Sequence, residues 1–130
     1  MIDDMGIFRT TIALAPWPDH DRRLTLHDVM VDTGSEYTWI PRTHLEELGV
    51  RVVRTERFES ADGRILERDV GFAMLYTGGR STPTIVVFGD TSDLTLLGAV
   101  ALEGLNLRID LGRKELVPAG PVPVAGLHAA

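Results

Sequence analysis

The chain has 130 residues, 44% hydrophobic and 25% charged, which is typical of a single globular domain. Its formal net charge is -6, and its 13 basic residues are scattered among 19 acidic ones. This argues against a nucleic-acid partner, which requires clustered Lys and Arg, and the absence of cysteine excludes disulfides and thiolate chemistry.

The N-terminal segment Met1–Met5 lacks the basic region and the apolar region of a signal peptide. No apolar run approaches the roughly 20 residues that a membrane helix needs. We therefore expect a cytoplasmic protein with no membrane partner.

The first half of the chain predicts short strands around an acidic turn. Alternating apolar residues predict a strand over 6–14, and a return strand over 24–31 ends in three apolar residues, as in a strand buried on both faces. The string Asp32-Thr33-Gly34-Ser35 follows, and then a short strand. A helix is predicted over 41–48, with Gly49 placed to end it.

The second half predicts a long hairpin followed by shorter elements. Strands over 51–58 and 65–76 flank Ala61-Asp62-Gly63-Arg64, where Asp-Gly favours a type I′ turn. Many short strands with few helices indicate an all-β barrel or sandwich. The later elements are a strand over 84–88, a helix over 99–105, and strands over 107–110 and 115–117 that can pair.

Residues 118–130 form a tail rich in Pro, Ala and Gly. We expect it to lie outside a single domain spanning 1–117, either as a loose arm or as a docked extension. A contribution to an intermolecular sheet is a further possibility for this tail.

The string Asp32-Thr33-Gly34 has two interpretations. Asp, Thr and Gly all favour turns, so an ordinary turn after a buried strand would explain it. The string Leu96-Leu97-Gly98, which precedes the second helix, favours a functional interpretation. The chain resembles the retroviral-type (retropepsin-like) aspartic proteases, especially the small single-domain prokaryotic forms. The resemblance lies in the order of its elements, which is strand, Asp-Thr-Gly, short strand, helix, long hairpin, strand, apolar-apolar-Gly and helix. The resemblance extends over about residues 6–118.

This resemblance implies a closed β-barrel with one or two short helices and an active site at a two-fold homodimer interface. Asp32 would be the catalytic carboxylate, and Thr33 would contact its counterpart across the axis. Gly34 would let a backbone N–H approach the carboxylate. Leu96, Leu97 and Gly98 would support the Asp32 loop from the core.

The resemblance also implies that the hairpin over 58–66 is a flap covering the substrate. Its tip would consist of Ala61, Asp62, Gly63 and Arg64. In many retroviral enzymes a polar or charged residue follows the apolar-apolar-Gly string, but here Ala99 occupies that position, so its hydrogen bond must be replaced or the scaffold must differ.

Peptide hydrolysis of this type needs two carboxyl groups close enough to share one proton. The chain contains a single Asp-Thr-Gly, so the resemblance predicts a homodimer with the axis between two copies of Asp32. Its expected partner is a peptide or protein substrate, and no cofactor is expected. The rival hypothesis is a dimeric β-barrel that binds peptides or partner proteins without cleaving them.

Ser35 has two interpretations of equal weight. Its hydroxyl can donate to the outer oxygen of Asp32 and favour the ionised form, or it can simply cap the turn. Ser35 as a serine nucleophile is set aside because the G-x-S-x-G pattern is absent. A metal site is also set aside, because the four histidines, at positions 20, 27, 44 and 128, have no ligand spacing.

Overall fold

The computed structural model describes residues 7–19 and 21–126, and most of them lie in strands. The elements are β1 (Arg9–Pro16), β2 (Leu24–Val31), β3 (Thr38–Pro41), α1 (Arg42–Leu48), β4 (Val52–Glu59), β5 (Ile65–Thr77), β6 (Arg80–Gly89), β7 (Leu96–Leu97), α2 (Ala99–Leu105), β8 (Leu107–Asp110) and β9 (Glu115–Pro118). The all-β class with two short helices is confirmed.

Seven strands form one sheet in the order β1-β2-β7-β3-β6-β5-β4. Because β1 also pairs antiparallel with β5, the sheet closes into a ring. Two pairings are parallel, β2 with β7 and β3 with β6. The β8 and β9 strands pair with each other in a separate two-stranded sheet, as their spacing predicted.

A single apolar cluster joins most strands to both helices. Strand residues in it are almost completely buried, with Leu14, Ile40 and Leu97 at 0% exposure. The helices contribute Leu45 and Leu48 from α1, and Leu102 and Leu105 from α2. This three-residue spacing puts each pair on one helix face, so both helices bury a single stripe against the sheet.

The predicted elements differ from the observed ones mainly at their ends. β1 ends two residues beyond the predicted strand over 6–14, and Gly6 lies outside the described residues. α1 ends at Gly49, which adopts a left-handed φ of 81° as the sequence predicted. β6 begins four residues before the predicted strand over 84–88, because a tight turn starts its pairing with β5 at Arg80.

The type I′ turn predicted at Asp62-Gly63 does not form there, and the matching backbone conformation occurs at Gly78-Gly79 instead. A type I′ turn needs positive φ at both central residues. Gly78 and Gly79 meet this requirement at 59° and 75°, whereas at the Asp62-Gly63 turn only Gly63 has positive φ, at 86°. The predicted I′ turn at Asp62-Gly63 is therefore wrong, because strand pairing there leaves a longer loop.

Among the residues that the structure describes, no helix has both the length and the apolar character needed to cross a lipid bilayer.

Candidate active site

Asp32 lies directly after β2, where two buried strands run side by side. β2 and β7 pair in parallel, with Met30 opposite Leu96 and Val31 opposite Leu97. The ladder continues into the loop, since the Asp32 N–H donates to the Leu97 carbonyl at 2.9 Å. The core therefore positions the backbone of Asp32.

The Asp32 carboxylate is held by its own loop. Its Oδ1 accepts the Gly34 N–H at 2.9 Å, and its Oδ2 accepts the Ser35 hydroxyl at 3.3 Å. The Ser35 N–H also donates to the Asp32 carbonyl at 3.1 Å and closes the turn. Each carboxylate oxygen thus has one donor and keeps lone pairs for a further ligand. The Ser35 hydroxyl therefore contacts the carboxylate and its backbone N–H closes the turn.

Gly98 lies behind this loop in a space that admits no side chain. A Cβ at this position would overlap the Tyr37 carbonyl and lie 2.8 Å from the carbonyl oxygen of Glu36. The Gly98 N–H donates to the hydroxyl of Thr38 at 3.1 Å, and Thr38 is completely buried. The sequence analysis missed Thr38, although a hydroxyl residue in an apolar strand must find a partner when buried.

The first turn of α2 connects to the same loop through backbone groups. The Ala99 N–H donates to the Ser35 carbonyl at 2.8 Å, and the Val100 N–H donates to the Glu36 carbonyl at 3.0 Å. The first N–H groups of a helix have no partner within it, so these bonds satisfy them. The loss of a polar side chain at Ala99 is therefore offset by main-chain bonds.

A cleft of about 400 Å³ separates the Asp32 loop from β4. Its wall includes an aromatic cluster in which Phe58 meets Tyr37 and Trp39 edge to face, with ring centroids 6.0 and 5.0 Å apart. The residues that line it are Gly34, Ser35, Glu36, Tyr37, Trp39, Glu56, Arg57, Phe58 and Glu59.

The tip of the β4–β5 hairpin is exposed and held by local contacts. Ser60 and Arg64 close the loop, with the Ser60 N–H donating to the Arg64 carbonyl at 2.8 Å. The Asp62 carboxylate accepts from the Arg64 backbone and side chain at 3.2 and 3.0 Å, and the Ser60 hydroxyl and the Arg64 backbone lower its pKa. Ala61, Asp62, Gly63 and Arg64 are not among the residues that line the cleft, which ends at Glu59.

Two ion pairs anchor the base of this hairpin. Arg68 makes a bidentate pair with Asp93, at 2.7 and 3.1 Å, and both side chains are largely buried, at 14% and 11% exposure. On the other face of β5, Asp69 accepts from Arg42 of α1 at 2.8 Å and from Thr55 of β4 at 2.9 Å. The Arg partners lower the pKa of both Asp69 and Asp93.

Sequence reasoning missed these pairs. Strand alternation puts Arg68 and Asp69 on opposite faces of β5, but nothing local identifies a partner 25 positions away. The Asp93 pair holds the loop that leads into β7. It therefore connects the hairpin arm to the strand that supports Asp32.

Thr33 lies on the opposite side of the loop from the cleft. It is exposed and lines an apolar groove of about 760 Å³ together with α2, the β8–β9 sheet and residues 119–123. Two side chains of this groove, Leu111 and Val122, are 66% and 70% exposed. The start of the tail is attached here, since the Asn106 side chain donates to the Gly120 carbonyl at 2.8 Å, whereas residues 121–126 are exposed.

Among residues 7–19 and 21–126, no three His, Asp or Glu side chains lie close enough together to hold a metal ion. His20 and His128 lie outside the described residues.

Comparison with known proteins finds one matching family and several similar solved structures. A family model described as "Aspartyl protease" matches residues 24–101, more than half of the chain. No curated protein matches the chain. Among solved structures, the simian foamy virus (mac) protease has a TM-score of 0.47 and 20% identity over 72% of this chain and 92% of its own. A retropepsin-like aspartic protease from Rickettsia conorii has a TM-score of 0.45 and 21% identity over 83% of this chain and 88% of its own.

Proposed function

Because the chain belongs to the aspartyl protease family, we propose that it hydrolyses peptide bonds as a homodimer in which each copy supplies one Asp32. The observation that carries this proposal is the placement of Asp32. A half-buried carboxylate lies at the end of a core strand, with each oxygen bonded to a single donor of its own loop.

The chemistry follows from two such carboxyl groups facing each other. Like charges about 3 Å apart cannot both remain ionised, so the pair holds one proton. The ionised Asp32 removes a proton from a bound water, which attacks the scissile carbonyl carbon. The protonated Asp32 donates a hydrogen bond to the carbonyl oxygen as it becomes tetrahedral. Collapse of this intermediate breaks the C–N bond, and the amine leaves with a proton from the pair.

A homodimer is proposed because the chain has one Asp-Thr-Gly string and a two-fold axis brings a residue against its own copy. The surface around Thr33 supports this arrangement. Thr33 is exposed, and the groove that it lines carries the exposed apolar side chains Leu111 and Val122. A second copy placed there would bury this apolar surface.

The substrate is proposed to be an extended peptide that lies in the cleft beneath the β4–β5 hairpin. Extended backbone satisfies its N–H and C=O groups by pairing with strand-like neighbours. The hairpin, with Ala61–Arg64 at its tip, would act as the flap that excludes bulk water during the reaction.

The catalytic assignment is tested with unfolded casein between pH 3 and pH 7, with and without a statine-type inhibitor. Asp32→Asn is expected to abolish cleavage, while Asp28→Asn is the matched control. Asp28 is exposed on the same strand and has a φ of 56° that Asn tolerates, so activity should persist. Cleavage that survives Asp32→Asn would refute the assignment.

Subunit mixing tests the homodimer. When equal amounts of wild-type and Asp32→Asn protein exchange subunits, only about one quarter of the dimers keep two intact copies of Asp32. At the same total protein concentration, activity should therefore be about one quarter of that of wild-type protein alone, rather than the half expected of independent monomers. A strictly monomeric protein at micromolar concentration that still cleaves casein would overturn the dimer.

A further inference from the structure

We propose that the cleft beside Asp32 selects peptides that carry a Lys or Arg side chain near the scissile bond. This inference rests on the proposed protease function and names its substrate class. The side chains that decide it are Glu36, Glu56 and the aromatic cluster of Tyr37, Trp39 and Phe58.

The charges of the cleft favour a cation. Its lining includes the carboxylates of Glu36, Glu56 and Glu59 and the guanidinium of Arg57, and Arg54 pairs with Glu56 from beside the lining, so one negative charge is in excess. Strand alternation puts Arg57 and Glu59 on the more exposed face of β4, where their charges offset each other. Glu36 and Glu56 are the remaining carboxylates of the lining.

Glu56 already has one partner, because Arg54 donates to its Oε1. A carboxylate offers about four acceptor sites on two oxygens, so Glu56 can accept a second donor. The backbone carbonyl of Glu36 accepts the Val100 N–H. Its side chain is exposed and is available to a ligand in the cleft.

The aromatic cluster suits the stem of a long basic side chain. Lys and Arg bury their methylene groups on apolar surface while the charged head remains in a polar environment. Here the rings of Tyr37, Trp39 and Phe58 are half-buried in the cleft wall, and Glu36 and Glu56 belong to the same lining. A cation near these rings also gains from their negative faces, whereas an acidic side chain would be repelled.

The two-fold axis duplicates the cleft. One copy would lie on each side of the scissile bond, so the preference should appear at two peptide positions, one before and one after that bond.

The test uses octapeptides that carry Lys, norleucine or Glu at each position in turn, assayed near pH 6. Norleucine matches the length of the Lys stem without its charge. At the two favoured positions, kcat/KM should be about tenfold higher for Lys than for norleucine, as a partly screened ion pair with a cation–π contact allows. The ratio should shrink as salt is added.

Glu36→Gln is expected to reduce the Lys-to-norleucine ratio to about threefold or less, since one of two carboxylates is lost. Glu47→Gln is the matched control, because Glu47 is an exposed residue of α1 that does not line the cleft. The ratio should be unchanged in this variant.

Binding separates this inference from the proposed function. Statine-containing peptides with Lys or norleucine are titrated against the Asp32→Asn protein, where the Lys peptide should bind about tenfold more tightly. Equal cleavage of Lys and norleucine peptides would overturn the selectivity and leave the protease intact. Failure to cleave any peptide, with the Lys preference retained in binding and lost in Glu36→Gln, would overturn the hydrolytic function alone.

Discussion

The Asp32 loop, which borders the cleft, and the tip of the β4–β5 hairpin, which lies beyond its end at Glu59, are held in different ways. The loop is bonded to β7, α2 and the buried Thr38, all distant in sequence. The tip is held by bonds within residues 60–64, and its side chains are exposed. Core contacts thus fix the position of Asp32, and only local contacts shape the proposed flap.

This difference matches the demands of the proposed reaction. A carboxylate that shares a proton with its copy must be positioned within a fraction of an ångström. A cover must instead open to admit a peptide, and such segments come from the least stable part of a fold. Substitutions in the segments that support the loop should therefore destabilise the fold more than substitutions at the tip.

The largest effect is expected from Gly98→Ala. The added methyl group would overlap the backbone of Tyr37, and backbone cannot move aside as a flexible side chain can. The free energy of unfolding should fall by about 3 kcal/mol or more. Urea denaturation measures this loss. Gly112→Ala is the control, because its Cβ would lie 3.4 Å from the nearest side-chain atom, and equal losses in both variants would contradict the comparison.

The next effect is expected at the base of the hairpin. Asp93→Asn removes the bidentate partner of the largely buried Arg68 and should cost about 1.5–3 kcal/mol at neutral pH. Asp62→Asn, which breaks the exposed ion pair at the tip, serves as the control and should leave the denaturation midpoint unchanged.

The Asp93 pair also makes the stability depend on pH. The pKa of Asp93 is lowered in the folded protein, so its stabilising effect is complete above the ordinary carboxyl pKa of about 4 and is lost as the pH falls through the folded value. The stability difference between wild type and Asp93→Asn should therefore shrink below about pH 4. A difference that stays constant down to pH 2 would argue against this ionic contribution.

A smaller effect on folding is expected from Gly63→Ala at the tip. No atom lies within 4 Å of the new Cβ, so the only penalty is the positive φ of 86°. This strain should cost about 1–2 kcal/mol. Because the tip covers the proposed substrate, KM should rise more than kcat falls. Gly63→Asn should recover most of the loss, since Asn tolerates this conformation, and a rise in KM without recovery would indicate a different role.

The smallest effect on folding is expected from Ser35→Ala, which changes the chemistry of the loop without disturbing its support. Loss of the hydroxyl removes a donor to Oδ2 of Asp32, so ionisation of the proposed pair becomes less favourable. The pH optimum of kcat/KM should move upward. Ser35→Thr retains a hydroxyl and should retain the profile. An unchanged profile in Ser35→Ala would show that the bond has no influence on the reaction.

The sequence predicted much of this molecule because many of its signals are local. Alternating and continuous apolar runs identified the strands, and Gly49 marked the end of α1. The Asp-Thr-Gly string after a buried strand and the Leu-Leu-Gly string before α2 identified the two segments that the structure brings together.

Other features depended on contacts between distant segments. The turn at Asp62-Gly63 was predicted incorrectly, because turn type depends on which residues of β4 and β5 pair. The partner of Arg68 and the backbone bonds that compensate for Ala99 also lie far away in sequence. A cleft with aromatic and acidic walls exists only because β4 folds back over residues 34–39.

The amino-acid sequence by itself determined where strands and helices form and which carboxylate follows a core strand, because periodicity and turn chemistry act over a few residues. The tertiary structure decided the strand register, the ion-pair partners and the shape of the cleft. These depend on how side chains from remote segments pack together, and no short stretch of sequence contains that information.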